Sequence, residues 1–390
     1  TATQGTEVDL GFEPQFLLTK SSSGTGDWYL VDNMRGWGAD QGSNDSFLSA
    51  NSNAVEVNST NSLGLTSSGF TSFNASGQTY IYIAIRRPHK PPTDGDDVFD
   101  VQTAASYAVN SDIPCSFAPD FMLATARTST LTNYAEARLT DDWLNTASTA
   151  AEDTTNYFKW DGEGGEINLP TSAFGANPVF WQFRRAPGFF DVVVYTGTGF
   201  LKTVDHGLGV TPELIIIKNR DVITNWRVYN SADGADFALI LNSTGKRVNN
   251  AVYWNDTEPT STQFTVNTNS QVNGQNNSHV AYLFATLNGI SKVGSYSGAG
   301  SSDVDVDCGF TSGARFVLIK RTDSSGGWYV WDTERGIATG NDPYFELNST
   351  AAETTNTDYI DPLNSGFTVV GGAGPDLNSS TGTYLFLAIA

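Results

Sequence analysis

A period near 100 residues runs through this 390-residue chain, and it constrains the fold more than any other feature. Residues 11–36 read GFEPQFLLTKSSSGTGDWYLVDNMRG, and residues 309–336 read GFTSGARFVLIKRTDSSGGWYVWDTERG. Lys20 precedes Trp28 by eight positions, and Lys320 precedes Trp328 by eight. Asp32 and Asp332 follow their Trp by four, and Arg35 and Arg335 follow by seven. Both copies run on to a Gly-Phe pair (Gly69–Phe70, Gly366–Phe367) and end in an aromatic run, YIYIAI at 80–85 and YLFLAI at 384–389. A third copy opens with VTPELIIIK at 210–218, places Lys218 eight before Trp226, has Asn230 at the Asp position and closes with VAYLFA at 280–285. The second quarter diverges most, with FAPDFMLA at 117–124 and VFWQFRR at 179–185. The anchors Phe12, Phe117, Val210 and Phe310 lie 105, 93 and 100 residues apart. Four tandem modules are expected, at 1–88, 97–186, 188–288 and 290–390.

Each module reads as all-β. Short runs rich in Val, Ile, Phe, Tyr and Thr alternate with Gly, Asn, Ser and Asp clusters, and no stretch combines helical periodicity with caps over more than about ten residues. A β-sandwich of jelly-roll or lectin-like type, about 90–105 residues per module, fits this pattern. Continuous apolar runs such as Leu214–Ile217 predict strands covered on both faces, whereas Val304 between Asp303 and Asp305 predicts a half-buried one. Links are short, so the modules are expected to pack end to end, and IRRPHKPPTDGDD at 85–97 is the one Pro-rich linker. Modules two to four open with a strand 15–20 residues before the anchor. The first has only eleven residues before Phe12, so it is expected to lack that strand and leave a sheet edge open to strand addition. The sequence opens at Thr1 with no basic and apolar leader, so a processed or partial chain is expected.

Composition narrows the partners. Forty-two acids against 21 Lys plus Arg give a formal charge of −21, which argues against nucleic acid or an anionic membrane surface. No apolar run approaches the ~20 residues that span a bilayer. Two Cys make no disulfide framework; Cys115 and Cys308 sit at matching repeat positions and are expected to be core residues. His89, His206 and His279 give no metal spacing, and no G-x-S-x-G stands in the chain. The acidic clusters Asp94/Asp96/Asp97 and Asp303/Asp305/Asp307 do not fit a calcium loop. No metal, cofactor or catalytic residue is therefore expected. The N-x-[ST] sites at Asn58, Asn74, Asn242 and Asn348 are expected to be turn formers.

The recurrent Trp–x3–Asp–x2–Arg–Gly is the most conspicuous polar constellation. On a strand, Trp28 and Asp32 share a face. One reading makes the Asp–Arg pair a turn closure with Trp in the core. The other makes Trp28 with Asp32, Trp226 with Asn230 and Trp328 with Asp332 glycan-binding pairs, each an indole platform beside a hydrogen-bonding group.

The segment FRRAPGFFDVVVYTGTGFLKTVDHGLGVTPELIIIK at 183–218, the Gly-Phe-x-Pro opening at Gly11–Pro14 and the closing strand with Tyr384, Phe386 and Ala388 resemble a module of structural proteins of tailed, notably marine, bacteriophages. The resemblance covers three repeats well and the second weakly. It implies a virion protein, a tail fibre or other structural part, with no enzymatic activity. In that reading the chain works as a homo-oligomer in the particle, touching other virion proteins and a host surface glycan. A symmetric trimer would point to a fibre, and lattice contacts to capsid decoration. A stand-alone lectin-like protein is the competing class.

Overall fold

In a computed structural model of the chain, residues 7–35, 37, 45–59, 63–71, 77–87, 89–103, 111–128, 130, 132–140, 142–155, 158, 160, 167–169 and 177–390 are described. They form an all-β protein built from antiparallel sheets. Among the described residues the α-helices are two of four residues each, Ser270–Asn273 and Pro375–Asn378. Among the described residues no helix is long and apolar enough to cross a membrane.

One strand order recurs in four stretches of the chain, which we number as modules. In the fourth, an opening strand (Ser291–Ser297) pairs with the closing strand (Thr383–Ile389). That strand pairs with the anchor strand (Phe316–Arg321), which pairs with the Trp strand (Trp328–Asp332), itself beside the short Phe345–Glu346. The third module repeats the order with Phe190–Thr196, Ser278–Phe284, Leu214–Asn219, Arg227–Asn230 and Phe237–Ile240. The second does so with Phe99–Thr103, Pro178–Phe183, Phe121–Ala126, Tyr134–Ala137 and Trp143–Asn145. The first has Tyr80–Arg86, Pro14–Ser21, Tyr29–Asp32 and Asp45–Ser49 in the same order. Its closing strand Tyr80–Arg86 pairs on one side only, with the anchor strand, among the described residues.

A smaller sheet covers one face of each large one. In the fourth module Val304–Asp307 pairs with Gly366–Val369, and in the first Glu7–Asp9 pairs with Gly69–Thr71. The repeated Gly-Phe of the sequence acquires its reason here. A Cβ on Gly69 would lie 1.9 Å from the Val8 carbonyl oxygen, and one on Gly366 2.1 Å from that of Val306. The Phe that follows enters the sandwich core, where Phe367 meets Val317, Ile319 and Phe386. Alternation along the anchor strand sends Val317 and Ile319 inward and leaves Phe316 and Leu318 on the opposite face.

That opposite face decides the architecture. The outer faces of the large sheets of modules two, three and four meet in one apolar core containing Phe121, Phe183, Ile216, Tyr282, Phe316 and Leu387. Phe99 packs on Phe316 at 5.4 Å between ring centroids, and Phe121 on Tyr282 at 4.4 Å. The expectation of end-to-end packing is therefore corrected: these modules pack side by side, sheet face against sheet face. Short links require neighbours to touch, but the apolar outer faces select which surfaces do. The 85–97 segment is no loose tether either, since Asp94 caps a short turn and Arg87 pairs with Asp120 at 2.8 Å. Cys308 lies in the fourth core as expected, whereas Cys115 is only half-buried. Both thiols are free, and burial pushes each up to about 12.

Candidate functional site

The repeated Trp and Asp positions are the natural place to look for binding chemistry. Trp226 and Trp328 are fully buried, as are Asn230 and Asp332. Each Trp does share a strand face with its Asp or Asn, but that face looks into the core between modules. The Trp328 indole N–H donates to the Ile240 carbonyl of the third module at 2.9 Å. The Trp226 indole N–H donates to the Asn145 carbonyl of the second at 3.0 Å. Asp332 binds Arg335 at 2.6 Å and accepts from the Trp181 indole of the second module at 2.8 Å. Asn230 bonds Asp233 in its own turn. Trp226, Trp328 and Asp332 hold sheets together, Asn230 closes a turn, and all four are buried away from solvent.

The contacts close into a ring. Strand register places Asn133 of the second module where the third and fourth have Trp. Its side-chain amide donates to the carbonyls of Glu346 at 3.3 Å and Ser349 at 2.7 Å in the fourth module. Asn145, Ile240 and Glu346 are themselves equivalent by register, each opposite the residue that follows the Trp position. So module three reaches two, four reaches three and two reaches four through one repeated contact. A second contact runs beside it. Backbone N–H groups of Glu152, Arg247 and Glu353 donate to the carbonyls of Arg220, Thr322 and Arg127 at 2.8, 2.9 and 3.0 Å. Ion pairs Arg220–Glu152 (2.6 Å) and Arg127–Glu353 (3.1 Å) reinforce two of the three. Lys218 and Lys320 extend under the ring to the carbonyls of Thr149 and Thr244, and burial brings both ammonium groups down to about 8.

The N-x-[ST] sites at Asn242 and Asn348 belong to this design. Their side-chain oxygens accept from the backbone N–H of Trp226 at 2.9 Å and of Trp328 at 2.6 Å. Asn74 lies outside the described residues. The acidic clusters are likewise engaged locally. Asp307 accepts from Gly309 N–H at 2.8 Å, Asp305 from Thr368 at 2.7 Å, and Asp96 pairs with Arg315 at 2.6 Å.

The first module keeps the Asn cap on its Trp backbone but differs in what covers the motif. Trp28 is half-buried, and Asp32 with Arg35 (2.5 Å) is partly open to solvent. A buried ion cluster joins this module to the others instead. Arg185 pairs with Glu13 and with Asp191 (2.7 Å), while Asp120 takes the Arg185 backbone N–H and the Arg87 guanidinium, both at 2.8 Å. Burial raises the Asp191 carboxyl, but the adjacent Arg185 outweighs it and holds the group below its ordinary value. At Glu13 burial wins, and the carboxyl stays above its ordinary value. A cleft of about 250 Å³ beside this cluster is lined by Arg86, His89, Asp205 and His206.

Sequence reasoning missed Asn133 and Arg185. Asn133 carries no resemblance to the Trp it replaces, and only strand register reveals the match. The Arg184–Arg185 pair recurs as Arg86–Arg87 at the end of the first module, a signal that could have marked the junction.

No curated protein matches the chain. The model of a family described as a domain of unknown function (DUF7483) matches residues 1–88 and 183–390, passing over the second module in which Asn133 stands for Trp; the chain belongs to that family.

Proposed function

We propose that this chain is a structural, non-enzymatic protein of a tailed-phage virion, a tail fibre or surface appendage that assembles as a homo-oligomer. The observation that carries the reading is where the repeated polar motif is used. Trp226, Trp328, Asp332 and the Lys residues join modules into one closed body rather than facing a ligand. Rigid sheets clamped face to face and a net charge of −21 suit an exposed, soluble particle component. The resemblance of residues 183–218 to phage structural modules supplies the setting. Purified particles fractionated on a density gradient test it: the chain should co-sediment with the particle and be labelled on its exterior by antibody. Its absence from particles would end the proposal.

Trp28 and Asp32 favour one competing reading, host-glycan attachment on a face that no other copy covers, because among the described residues this motif copy has the indole that keeps solvent access. Titration of glycans against the Trp28 indole resonance should then shift it, and a flat response across a broad glycan panel would dismiss the idea.

A further inference from the structure

We propose that the outer face of the first module's large sheet is the contact by which three copies of this chain assemble, three first modules closing into the ring that modules two to four form within one chain. The inference deepens the oligomeric part of the function proposed above and does not depend on the virion setting.

Strand register makes the comparison residue by residue. Ile85 opposes Phe16 as Ile389 opposes Phe316 and Phe284 opposes Leu214. Ile83 and Ile81 therefore stand where the fourth module has Leu387 and Leu385. Leu385, Leu387 and Ile389 are at most 2% exposed, because the ring covers them. Ile81, Ile83 and Ile85 are 49%, 58% and 49% exposed. The closing strand YIYIAI is apolar on both faces; on the inner one Tyr82 packs edge-on against Phe70 and keeps 44% exposure, and on the outer one all three Ile side chains stay open. A contiguous apolar sheet face of this kind marks an interaction surface.

The polar half of the ring contact is also in place. The Trp28 backbone N–H donates to the Asn51 side chain at 2.8 Å, as Trp328 does to Asn348 and Trp226 to Asn242. Lys20 donates to the Gly26 carbonyl as Lys320 does to Gly326. What the first module lacks is the neighbour. By register the Trp28 indole N–H should donate to the Ser49 carbonyl of the next copy. Lys20 should reach the Asn53 carbonyl, and the Glu56 N–H should meet the Ser22 carbonyl.

The occupant follows from the kind of contact. Inside the chain each interface is heterologous, the Trp side of one module against the carbonyl side of the next, and the rotation closes after three. The first module carries both sides, so its complement is itself. Opening strands add contacts between modules, Phe99 on Phe316 at 5.4 Å and Phe190 on Phe121 at 5.6 Å, and among the described residues none pairs with Tyr80–Arg86. The small apolar cavity of about 30 Å³ on the ring axis is lined by anchor, Trp and closing strands and the segment around Leu347, with no residue from any opening strand.

Size-exclusion chromatography with light scattering on the full chain tests this. The wild type should run at three chain masses at micromolar concentration. Ile83→Lys should run at one chain mass with its circular dichroism unchanged, since the side chain is more than half exposed within the single chain. Trp28→Phe, which keeps the ring but loses the indole N–H, should dissociate at a concentration at least about tenfold higher than the wild type. A wild type of one or two chain masses would overturn the proposal, and so would a trimer indifferent to Ile83→Lys. Either failure leaves the particle experiment untouched, and absence of the chain from particles leaves this one untouched.

Discussion

The first and fourth modules carry the same strand order, the same Lys–Trp–Asp–Arg spacing and nearly the same closing strand, yet they treat one sheet face in opposite ways. Leu387 is sealed between modules, and Ile83 at the same position stands in solvent. The inner faces agree at the anchor and Trp strands, where Leu17 and Val31 are buried as Val317 and Trp331 are, and differ at the closing strand, where Tyr82 is open and its counterpart Phe386 is buried. A module's sequence therefore secures its sandwich core, and its surroundings decide whether the outer face is a second core or a surface. The motif follows the face: Asp332–Arg335 is a fully buried ion pair, and Asp32–Arg35 is a partly solvated one.

Charge placed on that face should separate the two modules most. Leu387→Lys puts an unpaired ammonium into the apolar ring, a cost of several kcal/mol against the about 5–15 kcal/mol that a domain usually has in reserve. Thermal unfolding followed by circular dichroism should show the native transition sharply lowered. Ile83→Lys should leave the transition of the single chain within about 0.5 kcal/mol of wild type. Equal damage from both would mean that the faces are alike. The Asp of the motif comes next. Asp332→Ala takes from Arg335, buried beside Phe345 and Trp181, the nearer of its two carboxylates, leaving Glu353 at 3.2 Å, and takes the acceptor from the Trp181 indole, costing about 3–5 kcal/mol. Asp32→Ala, at a partly exposed pair, should cost under about 1 kcal/mol. Urea denaturation of the two variants gives both numbers in one experiment.

Much of the contrast was written in the sequence, but not its cause. Spacing between Lys20 and Trp28, repeated at 218–226 and 320–328, exposes the modules, because a hairpin of fixed length sets the two residues opposite each other on neighbouring strands. The all-Ile and all-Leu runs announce strands covered twice. What covers them is a long-range property: the apolar run YIYIAI has the same pattern as YLFLAI, and nothing local distinguishes a face met by the same chain from one left open. Trp226 and Trp328 as exposed platforms fail for the same reason, since their indoles are buried by other modules. Asn133 was illegible because a short amide performs there the hydrogen bond that an indole performs elsewhere, with no shared hydrophobicity. Cys115 shows the limit of matching by position, for it sits at the repeat place of Cys308 in the most divergent module and keeps solvent contact.

A titratable group sharpens the comparison between the third and fourth modules. His279 and Tyr384 occupy one register position, and each stacks on the Tyr of its opening strand, at 5.1 and 4.8 Å. His279 accepts from Gly274 N–H through Nε2, and Nδ1 lies 3.0 Å from the Asn277 carbonyl, so the ring is held neutral. Burial brings its pKa down to about 4 from an ordinary value of 6.5. The unfolded chain therefore takes up the proton first. Stability from this group is full above about pH 6.5 and is lost as the pH falls through about 4, a loss of up to about 3 kcal/mol. Unfolding measured between pH 7 and pH 4 should show that loss in the wild type, and His279→Tyr, which copies the fourth module, should flatten it. An unaltered slope in the variant would remove His279 as the source.

The smallest effect tests the indole N–H alone. Trp328→Phe keeps an aromatic ring against Leu318 and Leu347 but leaves the part-buried Ile240 carbonyl without its indole donor. An unsatisfied buried acceptor costs about 1–3 kcal/mol, and the smaller ring adds a void, so a loss of about 2 kcal/mol is expected. Trp226→Phe should lose a similar amount, because the Asn145 carbonyl stands in the same relation to it. Trp28→Phe should change the single chain by less than about 0.5 kcal/mol, since among the described residues no carbonyl accepts from that indole. The three substitutions are chemically identical, and only the neighbour differs. A loss at Trp28 as large as at Trp328, measured at a concentration where one chain mass is present, would show that the indole is held inside its own module. The open face would then be no counterpart of the ring.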